Sequence, residues 1–378
     1  MAGCGKRTVG RAGLLAGVIC AAGALWVGVL AQAPPGTELP SAASSAPAAS
    51  PAASSLPPRP AASCCGYNFP RALDAEIADS DVHKVLYQDD HVMFMEVNNP
   101  PALDVHMHGH PYASVFAHDS TTGAKAASPQ PAYAAGPTRL DPSSPYNNMG
   151  SSDSPPPAGM RWPTCTDSAP QAPHRPYNAN LAPNHFYRLE FLRLDGEDIQ
   201  THWREWYPEM TQPEKLVKDL VPGKALGPNF SEQWPYPIVY DSIQAAPNNY
   251  KLLFEDGKMR LLEVTIRPGE TTPMHGSPYP AVLAFNAINN PAGITDKSLD
   301  PASPLNGQGS GKAGPPKVYN LKVPTCMTTA SRAPHAIHNG GTAPLHYYQI
   351  EYKRIDGDGL TENWRKWYPW MQYMQFMR

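Results

Sequence analysis

The 378-residue chain is long enough for two domains of ordinary size. Its 30 Lys and Arg against 33 Asp and Glu give a formal charge of -3, which falls to -6 without Lys6, Arg7 and Arg11 near the start. The remaining basic residues are scattered and form no tract, which argues against a nucleic-acid partner.

Lys6, Arg7 and Arg11 precede an apolar stretch from about Ala12 to Leu30, closed by Ala31-Gln32-Ala33. Basic region, apolar core and small residues make residues 1–33 read as a secretory signal peptide. Left uncleaved, the same stretch is about long enough to anchor the chain in a bilayer, and this is the one membrane association expected. Either way the bulk of the chain is expected outside the cytoplasm, periplasmic or secreted. Residues 34–63 are nearly all Pro, Ala and Ser and read as a flexible or partly extended tether. Beyond the leader lie Cys64, Cys65, Cys165 and Cys326. An oxidising compartment makes disulfides the expectation, but three complete pairings are open. Adjacent Cys64 and Cys65 should take separate partners, since a normal bridge needs more backbone separation. A buried thiol or a site role for Cys165 are the alternatives.

A duplication organises the rest. The run His83-Lys84-Val85-Leu86-Tyr87-Gln88-Asp89-Asp90 matches Tyr250-Lys251-Leu252-Leu253-Phe254-Glu255-Asp256-Gly257, and Met107-His108-Gly109-His110-Pro111-Tyr112 matches Met274-His275-Gly276-Ser277-Pro278-Tyr279, both at an offset of 167. After a Pro/Gly/Ser/Asn-rich stretch the match resumes at 161: Pro163-Thr164-Cys165 with Pro324-Thr325-Cys326, Ala172-Pro173-His174 with Ala333-Pro334-His335, and Asn178 with Asn339. Trp203-Arg204-Glu205-Trp206-Tyr207-Pro208 and Trp364-Arg365-Lys366-Trp367-Tyr368-Pro369 close the two copies. Two copies of one domain, 64–212 and 213–378, follow, with length variation in the central loop. Residues 120–160 carry no usable period. Val92-Met93-Phe94-Met95-Glu96-Val97 and Phe186-Tyr187-Arg188-Leu189-Glu190-Phe191, with their counterparts, read as short strands bounded by turns. Beyond a helix expected near Pro213 to Leu220, an all-β barrel or sandwich fits each copy.

His108 and His110 project from one face if their segment is extended. With His174 they make three imidazoles, enough to hold a divalent first-row metal with positions left open. Together His108-Gly109-His110 and His174-Arg175-Pro176-Tyr177-Asn178, answered by Pro268-Gly269-Glu270 before His275 and by His335-Ala336-Ile337-His338-Asn339, resemble the cupin superfamily in its two-domain, bicupin form. The resemblance implies two double-stranded β-helix (jelly-roll) barrels in tandem, with the histidines pointing inward. It also implies a metal-dependent oxygenase, decarboxylase or isomerase acting on a small organic molecule. The family's usual Glu is absent, with Ser114 and Val115 in its place, and Ser277 stands where His110 would be in the second copy. The expected ligands are therefore His108, His110 and His174, holding Mn, Fe, Ni, Cu or Zn. A neutral three-imidazole shell suits an anionic or enolisable ligand.

His106, His185 and Tyr112 are the further candidates for the metal or its pocket, with a rim or packing role as the alternative for each. His275, His335, His338 and His346 form a degenerate second site, for which a retained fold with a lost site is the plainer reading. The Trp-Arg-x-Trp-Tyr-Pro segments and the tail with Trp370, Met371, Met374 and Met377 are expected to pack rather than bind. No phosphate-binding glycine motif, Gly-x-Ser-x-Gly turn, Cys-x-x-Cys pair or His-Glu-x-x-His helix is present. A non-catalytic cell-surface binding or structural protein is the rival reading. Neither oligomeric state nor substrate is legible.

Overall fold

The computed structural model describes residues 67–100, 105–118, 138–144, 163–178, 183–192, 204–205, 234–285, 293–303, 305 and 324–353. The leader, the tether, Cys64, Cys65, the 212/213 boundary, the helix expected near Pro213, most of both Trp-Arg-x-Trp-Tyr-Pro segments and the Met-containing tail lie outside these residues. Among the described residues no helix is long and apolar enough to cross a membrane.

Each copy begins with a 3-10 turn and a four-residue helix, α1 (Ala75–Ala78) and α2 (Ser242–Ala245), and then runs through eight strands. The first copy holds β1 (His83–Gln88), β2 (Val92–Asn99), β3 (His108–His110), β4 (Ser114–His118), β5 (Thr138–Arg139), β6 (Thr164–Ser168), β7 (Gln171–Arg175) and β8 (Asn184–Phe191). The second holds β9 (Tyr250–Glu255), β10 (Met259–Ile266), β11 (His275–Ser277), β12 (Ala281–Phe285), β13 (Ile294–Ser298), β14 (Thr325–Thr329), β15 (Arg332–Asn339) and β16 (Leu345–Tyr352). The strands form sheets of order β1-β2-β8-β4-β6 and β3-β7-β5, repeated as β9-β10-β16-β12-β14 and β11-β15-β13. Strand pairing is antiparallel throughout. Two such sheets of five and three strands make the eight-stranded jelly roll that the motif pattern implies, one per copy.

The motif-ending asparagines are structural. Asn178 Nδ2 donates to Asn99 O and Asn339 Nδ2 to Ile266 O, both at 2.8 Å. Each bond ties the strand that carries the second motif to the end of the long second strand of its barrel.

Alternation along the long strands sorts side chains onto two faces. Val92, Phe94, Val115, Ala117, Tyr187, Leu189 and Phe191 pack in one buried cluster with Met259, Leu261, Val282, Ala284, Tyr348, Ile350 and Tyr352. Every member of the first set has its repeat counterpart in the second, so the five-stranded sheets are joined through equivalent faces. Reciprocal contacts follow: Phe191 against Tyr348 at 5.8 Å between ring centroids, and Tyr187 against Tyr352 at 5.7 Å. In the same layer Cys165 and Cys326 form a disulfide with Cα atoms 6.2 Å apart. A bond between equivalent residues lies where a two-fold relation between the copies would put it.

The opposite strand faces line the barrel interiors. Met93, Met95, Tyr112 and Leu192 cluster in the first barrel, and Leu262, Val264, Ile266, Ala281, Leu283 and Tyr347 in the second. The duplication also continues into part of the segment where no period was expected. Leu140-Asp141-Pro142-Ser143-Ser144 and Leu299-Asp300-Pro301-Ala302-Ser303 follow β5 and β13 at an offset of 159. Both leucine N–H groups donate to the proline before the motif histidine, Leu140 to Pro173 O at 3.0 Å and Leu299 to Pro334 O at 2.8 Å.

Candidate metal centre

Strand β3 is three residues long, and its period-2 alternation turns His108 and His110 to the same side. Across the ladder His108 stands opposite His174 of β7, with a register shift before His110 meets Gln171. Gly109 is required between the two histidines. A Cβ there would lie 2.2 Å from Tyr67 Oη and 3.1 Å from Pro173, so the covering N-terminal segment sits directly on the backbone. Gly276 plays the same part under Trp234, the counterpart of Tyr67.

A fourth imidazole joins these three. His83 opens β1 and is buried, with its ring centroid 4.4 Å from that of His108 and 5.2 Å from that of His110. His174 lies beside them, its ring centroid 4.8 Å from that of His108 and 5.8 Å from that of His110. One ring nitrogen from each of His83, His108 and His110 lies within 4.8 Å of the others. Nitrogens bound to one ion at 2.0–2.1 Å are at most about 4.2 Å apart, so small ring rotations would bring these into range.

The hydrogen bonds fix the tautomers. His108 Nδ1 donates to His106 O and His174 Nδ1 to Ala172 O, both at 2.8 Å. His110 Nδ1 meets Glu190 Oε1 at 3.0 Å, and His83 Nδ1 faces Asp79 O at 3.4 Å. A carbonyl oxygen only accepts, so Nδ1 of His83, His108 and His174 carries the proton and Nε2 keeps its lone pair, while Nδ1 of His110 meets a carboxyl oxygen. Burial holds His108 and His110 well below the ordinary imidazole range and brings His174 to about 4, with Arg188 adding to the effect. Neutral imidazoles with free Nε2 lone pairs are the form a metal needs, and the donor set therefore fits a first-row divalent ion.

Around these rings lie three further ionisable groups. The Asp79 carboxylate is 3.6 Å from His83 Nδ1 and 3.7 Å from His108 Nδ1. Glu190, on the interior face of β8, is paired with Arg188 Nε at 2.9 Å, and Arg188 Nη1 donates to Gln171 Oε1 at 2.7 Å. Burial pushes Glu190 up to about 8, against the lowering effect of Arg188. Among the described residues Arg188 Nη2 and Glu190 Oε2 have no hydrogen-bond partner.

The other candidates fall elsewhere. His106 is 61% exposed and bonds Asp79 Oδ1 at 3.1 Å, a rim position that keeps it out of the ring cluster. Tyr112 is buried among Met93, Met95 and Leu192 and packs the interior. His185 takes the packing role that stood as its alternative. It shares a strand face with Tyr187 and Leu189, points into the layer between the barrels and bonds Glu96 Oε1 at 3.1 Å. His346 repeats this with Glu263 at 3.0 Å, and His338 bonds Thr271 Oγ1 at 2.9 Å, so neither completes a second centre. Sequence reasoning missed His83, Asp79 and Glu190. His83 was visible only as the first residue of the repeat, where its counterpart is Tyr250.

In the second barrel the losses come together. Tyr250 replaces His83, Ser277 replaces His110, Ala246 replaces Asp79 and Gln349 replaces Arg188, while His275, His335 and Glu351 remain. The interior is filled instead by Arg260, fully buried, which bonds Asp241 through both Nη atoms and Glu351 through Nε. Gln349 joins this network to Ser277 Oγ at 3.1 Å.

No protein-family model and no curated protein matches the chain. Solved structures similar to it include a cupin domain from Bordetella pertussis, at 14% identity and a TM-score of 0.20, covering 27% of this chain and 90% of that one. AerE from Microcystis aeruginosa matches at 10% identity and TM-score 0.20 over 72% of this chain and 97% of its own. Lactobacillus farciminis oxalate decarboxylase, in a formate complex, matches at 12% and 0.20 over 70% and 77%. Likeness at these scores carries no argument. The jelly-roll fold of each copy rests on the strand pairing, and the two motif pairs lie at equivalent places upon it.

Proposed function

We propose that the first barrel holds a divalent first-row metal on His108, His110, His174 and His83, and that the protein is an exported metal-dependent bicupin acting on a small anionic molecule. The observation that carries this is the set of four imidazoles, three buried and His174 half-buried, each with Nδ1 facing an oxygen. An all-imidazole shell favours Fe, Ni, Cu or Zn over Mn, which prefers carboxylate and water oxygens. Bound there, the metal would supply a Lewis acid for a substrate oxygen and a lowered pKa for water.

The chain's own groups do the rest. Arg188 has an N–H left over after Gln171 and Glu190 are served, and so binds and orients a carboxylate or similar anion beside the imidazoles. Glu190, whose carboxyl is pushed up to about 8 by burial, is the group placed to move a proton at Oε2. The second barrel serves as a scaffold for the first, its interior closed by the Arg260 network. Export is supported by the Cys165–Cys326 bridge, since such bonds persist in oxidising compartments.

Cobalt(II)-loaded protein titrated with small mono- and dicarboxylates tests the reading through the visible spectrum of the ion. A saturable spectral change is expected, weakened on the order of 10- to 100-fold in Arg188→Gln, the residue of the second barrel. Absence of any change in the wild type, or equal affinity in R188Q, overturns the anion assignment.

A further inference from the structure

His118 ends β4 and belongs to none of the groups described above. Period-2 alternation puts it on the interior face of the first barrel, together with Ser114 and Phe116. Across the ladder Phe116 stands opposite Arg188, and His118 opposite Phe186. The Arg188 guanidinium lies over the Phe116 ring, 4.5 Å from its centroid. Phe116 in turn lies nearly parallel to His118, with centroids 6.1 Å apart, and Phe186 meets the two at 5.1 Å and 5.3 Å. One wall of the interior therefore carries, in order, a cationic fork, a phenyl ring and an imidazole.

Packing does not account for an imidazole here. The second barrel has Phe285 at this place, set against Tyr347 at 5.1 Å, so a phenyl ring serves the strand end equally well. His118 is half-buried, and among the described residues its ring meets aromatic rings and no hydrogen-bonding side chain. Burial, with His185 adding to it, brings the imidazole down to about 4. The ring is thus neutral and offers one N–H donor and one lone pair. A polar ring without a partner beside phenyl groups is less favourable than phenylalanine would be. A ligand group that meets it removes this disadvantage.

We propose that His118 is a specificity-determining residue of the first barrel, which hydrogen-bonds the far end of an elongated anion whose carboxylate sits at Arg188. The inference rests on the role given to Arg188 above. Phe116 and His118 are two residues apart on one strand, a span of about 6.6 Å. The ligand is therefore a carboxylate with a hydroxyl, carbonyl or amide group on the order of 6–7 Å from its charged end, lying across Phe116. Acetate is too short to touch His118 from Arg188.

Cobalt(II)-loaded full-length protein is titrated with acetate, valerate and omega-hydroxyvalerate, and the visible spectrum of the ion is followed. The wild type is expected to bind the hydroxy acid about 3- to 10-fold more tightly than valerate, the worth of one hydrogen bond. His118→Phe, which installs the second barrel's residue, abolishes this preference. His118→Gln keeps a donor and an acceptor and retains part of it. Loss of packing alone would weaken both acids together and leave their ratio unchanged. No preference in the wild type, or one that survives H118F, overturns the assignment of His118. Acetate reports the metal and Arg188 alone. A wild type that binds acetate without preferring the hydroxy acid fails this inference only, whereas no response to any of the three acids fails the Arg188 reading and this one with it.

Discussion

Asp79 faces the Nδ1 atoms of His83, His106 and His108 at 3.6, 3.1 and 3.7 Å while being itself buried. A carboxylate so placed orients imidazoles and makes them better donors, and losing such a partner typically costs 10–100-fold in metal affinity. Asp79→Asn should weaken metal binding by about that factor with the fold intact, measured by competition with a chelator of known affinity. Unchanged affinity would mean that Asp79 only ties down the rim. The same residue explains part of what the sequence left hidden. Asp79 and His83 belong to no motif, and only the folded chain brings α1 and β1 against β3. His108, His110 and His174 were legible because strand alternation and motif spacing act locally. For His185 the choice between pocket and packing hangs on strand parity: one position along β8 separates the barrel interior from the layer between the barrels.

At the scale of elements, β3 and β7 owe their geometry to a glycine and an asparagine. Gly109→Ala would drive a Cβ to 2.2 Å from Tyr67 Oη, and the covering segment must shift. Overpacking of this kind costs about 1–3 kcal/mol. The expected outcome is a lowered midpoint of thermal unfolding together with weaker metal binding, since the strand carries two ligands. A variant as stable as the wild type would show that the cover adapts freely. The strands were readable from alternating apolar runs that recur at a fixed offset. The Leu-Asp-Pro turn after β5 was not, because the offset passes from 167 to 159 and then to 161, and each change resets the comparison.

For the molecule, the shared core and the bridge between equivalent cysteines make the two barrels one cooperative body. The disulfide spans a sequence separation of 161 residues. Closing a loop of this length lowers unfolded-chain entropy by an amount worth roughly 3–5 kcal/mol. The double variant Cys165→Ser, Cys326→Ser should lose stability of that order in denaturant titration while keeping its metal. Glu96 adds a pH-dependent part to the same layer. Burial raises its pKa, but His185 and Lys258 of the second copy outweigh this and bring it down to about 2, from an ordinary 4.5. A depressed carboxylate stabilises the fold above its unfolded pKa and loses that contribution as pH falls through the folded one. Stability should therefore drop between about pH 4.5 and pH 2, and Glu96→Gln should flatten this arm of the curve. An unaltered acid limb in E96Q would remove Glu96 from the account. The duplication that the sequence displayed thus becomes an asymmetric pair, a histidine-rich barrel braced by a differently furnished one.

The central claim is that the tightly held metal belongs to the first barrel. Elemental analysis of purified full-length protein, compared with H108A/H174A and with H275A/H335A, tests it most directly. About one equivalent of first-row metal is expected in the wild type and in H275A/H335A, and none in H108A/H174A. Metal retained by H108A/H174A, or lost from H275A/H335A, would contradict it.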